Sequence, residues 1–344
     1  MKIRSLILLS LILCWIPAGC RRKTPELKIY TWAEYFKPEL LQRFEKEQKC
    51  RIIIDTFESN ESMYAKIKAG ATGYDLLTPS SYFVKIMFDQ GYLQPLDHSQ
   101  LPNLKHVDAD YLKIAMDPQM HHSVPYMLTN SGIAYRKDKV KNFFPSWKMF
   151  NQTALKGRMT MLNDMRETLG AALKFLGYSL NSRNDKELEA ARDVVIAWKK
   201  NLAKFEAEQY KSGIASGEFL LVHGYSGDLL QVQKENPGID FVIPEEGTSI
   251  SCDDLVMPKG SQESRLSHAF INFIHDPDVA AENTNFLSYV CPNQSSYSKV
   301  DPELRNNPAV FLAPGVKAKC EVIEDLGAYT AKYNEIWDQI KAAE

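Results

Sequence analysis

Carboxylates set beside aromatic rings and hydroxyls recur along this 344-residue chain. Glu34 lies between Trp32 and Tyr35, Ser80 stands two residues before Tyr82, and Asp164 three before Glu167. Asp253 follows Ser251 and Cys252, and Tyr289 precedes Cys291-Pro292-Asn293. Such side chains suit cation capture: ionised carboxylates accept short charge-assisted hydrogen bonds, and ring faces attract a cation while covering apolar surface. Each also has a plainer reading. Asp164 and Glu167 have the spacing of a helix-capping box, Trp32 and Tyr35 suit a core at a strand end, Glu34 suits a solvated loop, and Asp253 can cap a turn.

Bond-breaking chemistry leaves no comparable trace. Gly224-Tyr225-Ser226-Gly227 misses the G-x-S-x-G nucleophile elbow because its second glycine comes one residue early. No H-E-x-x-H, Walker loop or G-x-G-x-x-G occurs. Adjacent His121 and His122 diverge in an extended segment and read as a surface pair. No catalytic residue, metal or other cofactor is therefore expected. A net charge of −2 without any long Lys/Arg run argues against nucleic acid as the main partner.

Positioning these groups needs a framework of strands and helices, and the apolar patterning supplies one. Short apolar strands alternate with amphipathic helices from Leu27 onward, the pattern of an α/β protein with mostly parallel sheets. Strands are expected at 27–32, 51–57 (with Ile52, Ile53 and Ile54 buried), 74–78, 219–223, 239–243 and 254–257. Helices are expected at 38–48, 61–69 (capped by Asn60), 81–90, 165–176, 186–204 and 226–233, around Ala269 and Ala280, and at 329–341. The chain exceeds ordinary single-domain size, so its core should divide between two lobes. In open α/β sheets ligands bind beyond the carboxyl ends of strands, which directs attention to 32–35, 79–82, 223–225 and 251–254.

The N-terminus reads as an export signal over 1–19. Lys2 and Arg4 precede an apolar run from Leu6 to Ile16, and Pro17-Ala18-Gly19-Cys20 resembles a lipobox, with Pro17 departing from its usual aliphatic residue. Cys20 is then the lipidated first residue of the mature protein and 20–26 a polar tether, anchoring an extracytoplasmic protein to the membrane. Cys50, Cys252, Cys291 and Cys320 remain, either as free thiols or as disulfides in one of three connectivities.

Four segments carry a more specific signal: Ile29-Tyr30-Thr31-Trp32-Ala33-Glu34-Tyr35, the run from Thr56 to Lys66, the run from Tyr74 to Tyr82, and Ser123-Val124-Pro125-Tyr126. They resemble the spermidine/putrescine-binding proteins of polyamine ABC transporters, closely in the first lobe and more loosely after Asp164. The resemblance implies a two-lobed periplasmic-binding-protein fold with lobes at 27–128 plus 253–297 and 129–252 plus 298–344. It implies a monomeric, non-enzymatic receptor that passes putrescine or spermidine to an ABC permease. Residue by residue, it places Trp32, Glu34, Tyr35, Ser80 and Tyr82 on the first-lobe side of the site. Asp164 and Glu167 match acidic positions of the second lobe, Asp253 an ammonium-binding carboxylate and Tyr289 an aromatic wall.

Three positions depart from the family pattern. His223 and Ser251 stand where it has tryptophans, and Ile323 where it has an amide. These changes are expected to cost spermidine more than putrescine, and a protonated His223 to weaken binding at low pH. A receptor for an amino acid would need an arginine facing the carboxylate. Arg166 is the one arginine nearby, and its place between Asp164 and Glu167 suggests a helix surface. A receptor for another solute and an exported hydrolase remain the alternatives.

Overall fold

A computed structural model of the chain describes residues 24–343. The export signal and Cys20 lie outside the described residues. The first lobe opens with β1 (Glu26–Thr31), α1 (Pro38–Gln48), β2 (Arg51–Thr56), α2 (Asn60–Lys68), β3 (Leu76–Leu77) and α3 (Ser81–Asp89). A long strand, β4 (Ser123–Arg136), leads into β5 (Met159–Leu162), α4 (Met165–Phe175), α5 (Asp185–Lys199), β6 (Leu202–Glu206) and α6 (Tyr210–Ser216). Then follow β7 (Leu221–Tyr225), α7 (Ser226–Glu235), β8 (Ile239–Val242), β9 (Ser249–Val256), α8 (Ser264–Ile274), α9 (Pro277–Leu287), β10 (Glu321–Val322) and α10 (Thr330–Ala342).

The strands run in the order β2-β1-β3-β9-β4-β7-β5-β6, with β10 beside β9 and β8 beside β4. Each lobe has a parallel heart, β2-β1-β3 in the first and β6-β5-β7 in the second. The antiparallel pairs all involve β4 or β9, so the sheet is mixed rather than mostly parallel. Residues Ser123–Asn130 of β4 pair with β9, and Ser131–Arg136 turn to β7 and β8. One strand therefore feeds both cores. Val124 and Met127 pack with Leu27, Ile29, Phe44 and Phe270 of the first lobe, whereas Ile133 packs with Trp147, Met159, Trp198 and Tyr333 of the second. Gly132 permits the change of partner, since a Cβ there would stand 2.5 Å from the Val242 carbonyl oxygen and 2.7 Å from the Phe241 ring.

Several local expectations need correction. None of Ile52, Ile53 and Ile54 is fully buried, the first two being half-buried and Ile54 39% exposed, because among the described residues β2 ends the sheet with β1 as its one strand neighbour. Ser59 rather than Asn60 caps α2, its Oγ accepting from the Ser62 amide at 3.1 Å. The helix expected at 186–204 stops at Lys199, and the chain from Leu202 forms β6. β9 starts at Ser249, five residues before the expected strand.

The four cysteines among the described residues are free, and Cys50, Cys252 and Cys291 are buried. The fold thus rests on its cores and not on covalent staples. A soluble form beginning at residue 24 is expected to melt at the same temperature with and without dithiothreitol and to titrate four thiols when unfolded. A fall in melting temperature on reduction would show a bridge instead.

Candidate ligand-binding site

A cleft of about 420 Å³ opens where strand ends of the two lobes face each other. From the first lobe, the turn after β1 presents Trp32, Glu34 and Tyr35, the turn after β3 presents Ser80, and the first turn of α3 presents Tyr82. Trp32 is fixed by its Nε1 donating to the Thr78 carbonyl at 3.0 Å and by edge-on packing against Phe57 with ring centroids 4.4 Å apart. Glu34 adopts a left-handed backbone with φ 53°, uncommon for a side chain of its kind, and extends into solvent at the cleft mouth. Tyr35 is clamped from both ends: Tyr126 donates to its carbonyl oxygen at 2.6 Å, and its own hydroxyl donates to Asp253 Oδ2 at 2.6 Å.

Asp253 sits on β9, and both of its oxygens have donors. Ser80 Oγ donates to Oδ1 at 2.6 Å. Asn60 holds Ser80 in turn, its Nδ2 donating to Ser80 Oγ and its Oδ1 accepting from the Ser80 amide, each at 3.0 Å. Burial pushes the Asp253 carboxyl up to about 6, against the lowering pull of the Ser80 and Tyr35 hydroxyls. Neighbouring Asp254 points the other way along the pleat, to Ser81 Oγ at 2.7 Å, and does not line the cleft.

The second lobe contributes the start of α4. Asp164 caps this helix, Oδ1 accepting from the amides of Arg166 at 2.8 Å and Glu167 at 3.0 Å, while Oδ2 accepts from the Tyr225 hydroxyl at 3.2 Å. The capping reading is therefore half right. Glu167 does not reach back to complete a box; it is 4% exposed, and its Oε2 accepts from Ser131 Oγ and Ser249 Oγ, both at 2.7 Å. Those serines lie on β4 and β9, so the crossing strands hold a second-lobe carboxylate. Burial raises the Glu167 carboxyl well above the usual range, and Asp164 beside it adds to the rise. Glu61 on α2, although exposed toward the cleft, is also raised, first by loss of solvent there and then by Asp164.

Ser251 and Tyr289 also line the cleft. Tyr289 lies against the backbone of Gly227, where a Cβ would come within 2.6 Å of its ring. His223 does not reach the cleft. It is fully buried one pleat short of the end of β7, edge-on to Trp147 with centroids 4.9 Å apart, and burial lowers its ring to about 3. The low-pH role expected of it is withdrawn for that reason. Tyr225, the last residue of β7, takes the aromatic place on that side. Arg166 departs from its expected surface position as well. It is buried, donating from Nη1 to the Glu324 carbonyl at 2.7 Å and from Nη2 to Asn181 Oδ1 at 2.6 Å.

Sequence reasoning also missed Glu61, Tyr210, Lys211, Asp228 and Trp337. Asp228 had a visible signal, an acidic residue in the first turn of a helix directly after a strand, and Tyr210 donates to its Oδ2 at 2.5 Å. Trp337 comes from α10, far along the chain from the other residues, and no local pattern marks it. Among the described residues, eight carboxylates line the cleft (Glu34, Glu58, Glu61, Asp164, Glu167, Glu208, Asp228, Asp253) against the three cations Arg166, Lys211 and Lys341. Each cation is already engaged: Arg166 as described, Lys211 with Glu34 at 3.2 Å and Lys341 with Asp338 at 3.3 Å. The cleft therefore has acceptors to spare, and rings of Trp32, Tyr35, Tyr82, Tyr225 and Tyr289 between them.

Known proteins with this architecture match over nearly the whole chain. The putrescine/cadaverine-binding protein of Pseudomonas aeruginosa is 31% identical, covering 96% of this chain and 98% of the relative. The spermidine/putrescine-binding periplasmic protein of Escherichia coli is 33% identical over 92% and 91%. Among solved structures, the TpPotD lipoprotein of Treponema pallidum superposes with a TM-score of 0.83 at 34% identity, over 92% of this chain and 99% of that one. The spermidine/putrescine ABC transporter substrate-binding protein PotD of Streptococcus pneumoniae gives 0.81 at 30%, over 92% and 99%. Residues 39–312 match the corresponding family model, and with the two-lobed fold and its cleft this shows that the chain belongs to the bacterial extracellular solute-binding proteins.

Proposed function

We propose that this protein is a lipid-anchored extracytoplasmic receptor for polyamines, binding putrescine or spermidine in the cleft and delivering it to an ABC importer without chemical change. The observation that carries the reading is the surplus of carboxylates over free cations in a cleft walled by aromatic rings. A polyamine is an alkyl chain with ammonium groups at intervals, and it needs both features. Ammonium–carboxylate hydrogen bonds contribute about 1.5–3 kcal/mol each and a good ring contact roughly 0.5–2 kcal/mol. The names of the Pseudomonas, Escherichia and Streptococcus relatives point to the same ligand class. An amino-acid ligand fits poorly, because the Arg166 guanidinium is spent on Glu324 and Asn181.

We assign ligand contacts to Trp32, Glu34, Tyr35, Ser80, Tyr82, Asp164, Glu167, Ser251, Asp253 and Tyr289, and add Tyr225 and Asp228. The receptor acts as a monomer whose lobes, 27–128 plus 253–297 and 129–252 plus 298–344, close on the ligand. Closure brings carboxylates of both lobes around one polycationic ligand and offsets their repulsion, which ties lobe position to ligand charge.

Calorimetric titration with putrescine, spermidine, a neutral sugar and an amino acid is expected to show one-to-one binding of a polyamine alone. Replacing the buried carboxylates singly, Glu167→Gln and Asp253→Asn, should weaken that binding about 10- to 100-fold while leaving the circular dichroism spectrum unchanged. Undiminished affinity in both variants would remove this cleft as the site.

Proton linkage gives a second check. The Asp253 pKa rises from an ordinary carboxylate value to about 6 in the folded protein, so protonation favours the folded state below that pH. This stabilisation is lost as pH rises through about 6. Relative to the parent, Asp253→Asn should be more stable at pH 8 than at pH 5, the offset changing by about 1 kcal/mol. Comparing the two proteins cancels His223, whose depressed pKa works in the opposite direction below about 6.5. An offset independent of pH would show that Asp253 is ionised throughout.

The anchor is tested separately. Cys20→Ser is expected to abolish fatty-acid labelling and to release the protein into the soluble extracytoplasmic fraction. Continued membrane retention would put the anchor elsewhere.

A further inference from the structure

One end of the acidic cleft holds an ammonium group supplied by the protein. Lys211, in the first turn of α6, reaches across from the second lobe, and its Nζ donates to Glu34 Oε2 of the first lobe at 3.2 Å. Glu208 and Asp228 line the same end. Burial disfavours the charged lysine, yet Asp228, Glu34 and Glu208 together outweigh it and hold the ammonium protonated. The opposite end, lined by Glu61, Asp164 and Glu167, has Arg166 nearby, but that guanidinium is turned to Glu324 and Asn181. Asp253 is linked toward both groups: its partner Tyr35 packs edge-on at 6.0 Å to Tyr289, which has Asp228 beside it, and its partner Ser80 is held by Asn60, next to Glu61. The cleft is thus asymmetric: an ammonium of the protein already sits among the carboxylates at the Glu34 end, while those at the Asp164 end hold no cation by a direct bond.

We propose that Lys211 is a length filter, its ammonium occupying the cation position at the Glu34–Glu208–Asp228 end so that a ligand is admitted there only by displacing it. The proposal rests on the polyamine reading and sharpens it. A diamine spanning Asp253 and the Asp164–Glu167 end avoids Lys211, whereas the additional ammonium of a longer triamine meets it. The simpler idea, that the Lys211–Glu34 pair latches the lobes shut, asks too much of it. The Glu34 side chain is 81% exposed, and ion pairs so open to water contribute little. Repulsion between two cations inside a narrow cleft is less screened and acts on ligand length directly. The flexible four-carbon stem of lysine makes the exclusion graded.

Putrescine and spermidine are titrated into the parent protein, Lys211→Met, which keeps length without charge, and Lys211→Arg, which keeps the charge. The spermidine-to-putrescine affinity ratio should rise at least about tenfold in Lys211→Met and stay near the parent value in Lys211→Arg. An unchanged ratio in Lys211→Met would overturn the filter, and an equal loss for both amines would show a latch in its place. A parent protein that binds neither amine would defeat the polyamine reading itself, a result separable from either of these.

Discussion

Negative charge enclosed in a narrow cleft is the constraint around which this molecule is arranged. Carboxylates sharing a poorly solvated space repel one another, and removing them from water costs more still. The structure restrains the two most deeply buried ones with neutral donors. Asp253 receives the hydroxyls of Tyr35 and Ser80, and Glu167 those of Ser131 and Ser249. Hydroxyl donors orient a carboxylate without cancelling its charge, so the attraction for an incoming cation survives. Had Arg166 turned toward Glu167 instead of donating to Glu324 and Asn181, that carboxylate would already hold a cation.

The supports of these carboxylates reach deep into both lobes. Tyr35 is held through Tyr126, and Tyr126 through Asn283 of α9, which donates to its hydroxyl at 2.8 Å. That helix also straddles the cores: Val279, Ala280 and Leu287 pack with the first lobe, and Ala281 with Phe219 and Phe241 of the second. The aromatic walls follow the same economy of contact. Tyr289 lies on bare backbone at Gly227, and Tyr225 spans from the end of β7 to the capping carboxylate of α4.

Where local physics decides a segment, the sequence was readable. Pro38 at the first turn and the amphipathic run behind it define α1 at its expected bounds, and Asp164 marks the start of α4 by capping it. Where tertiary partners decide, the reading failed for identifiable reasons. β4 is buried along most of its length on both faces, so it has no polar alternation to reveal it, and Pro125 and Gly132 interrupt its pattern. Triple isoleucine suggested a buried strand, yet β2 lies at the sheet edge. Resemblance brought most of the cleft residues together but counted His223, which points into the core, and passed over Tyr225, two residues on along β7, which lines the cleft. Arg166 looked like surface because its partners come from outside its own helix, Asn181 from the loop after it and Glu324 from near the C-terminus.

The crossing strands carry a consequence for exchange of parts between relatives. Ser131 on β4 and Ser249 on β9 hold Glu167, while Asp253, farther along β9, belongs to the opposite network of Ser80 and Tyr35. A chimera joined inside either strand would draw a carboxylate from one parent and its restraining hydroxyl from another. Recombination that respects this wiring must move β4 and β9 together with the segments that carry Tyr35, Ser80 and Glu167, as a single heritable block.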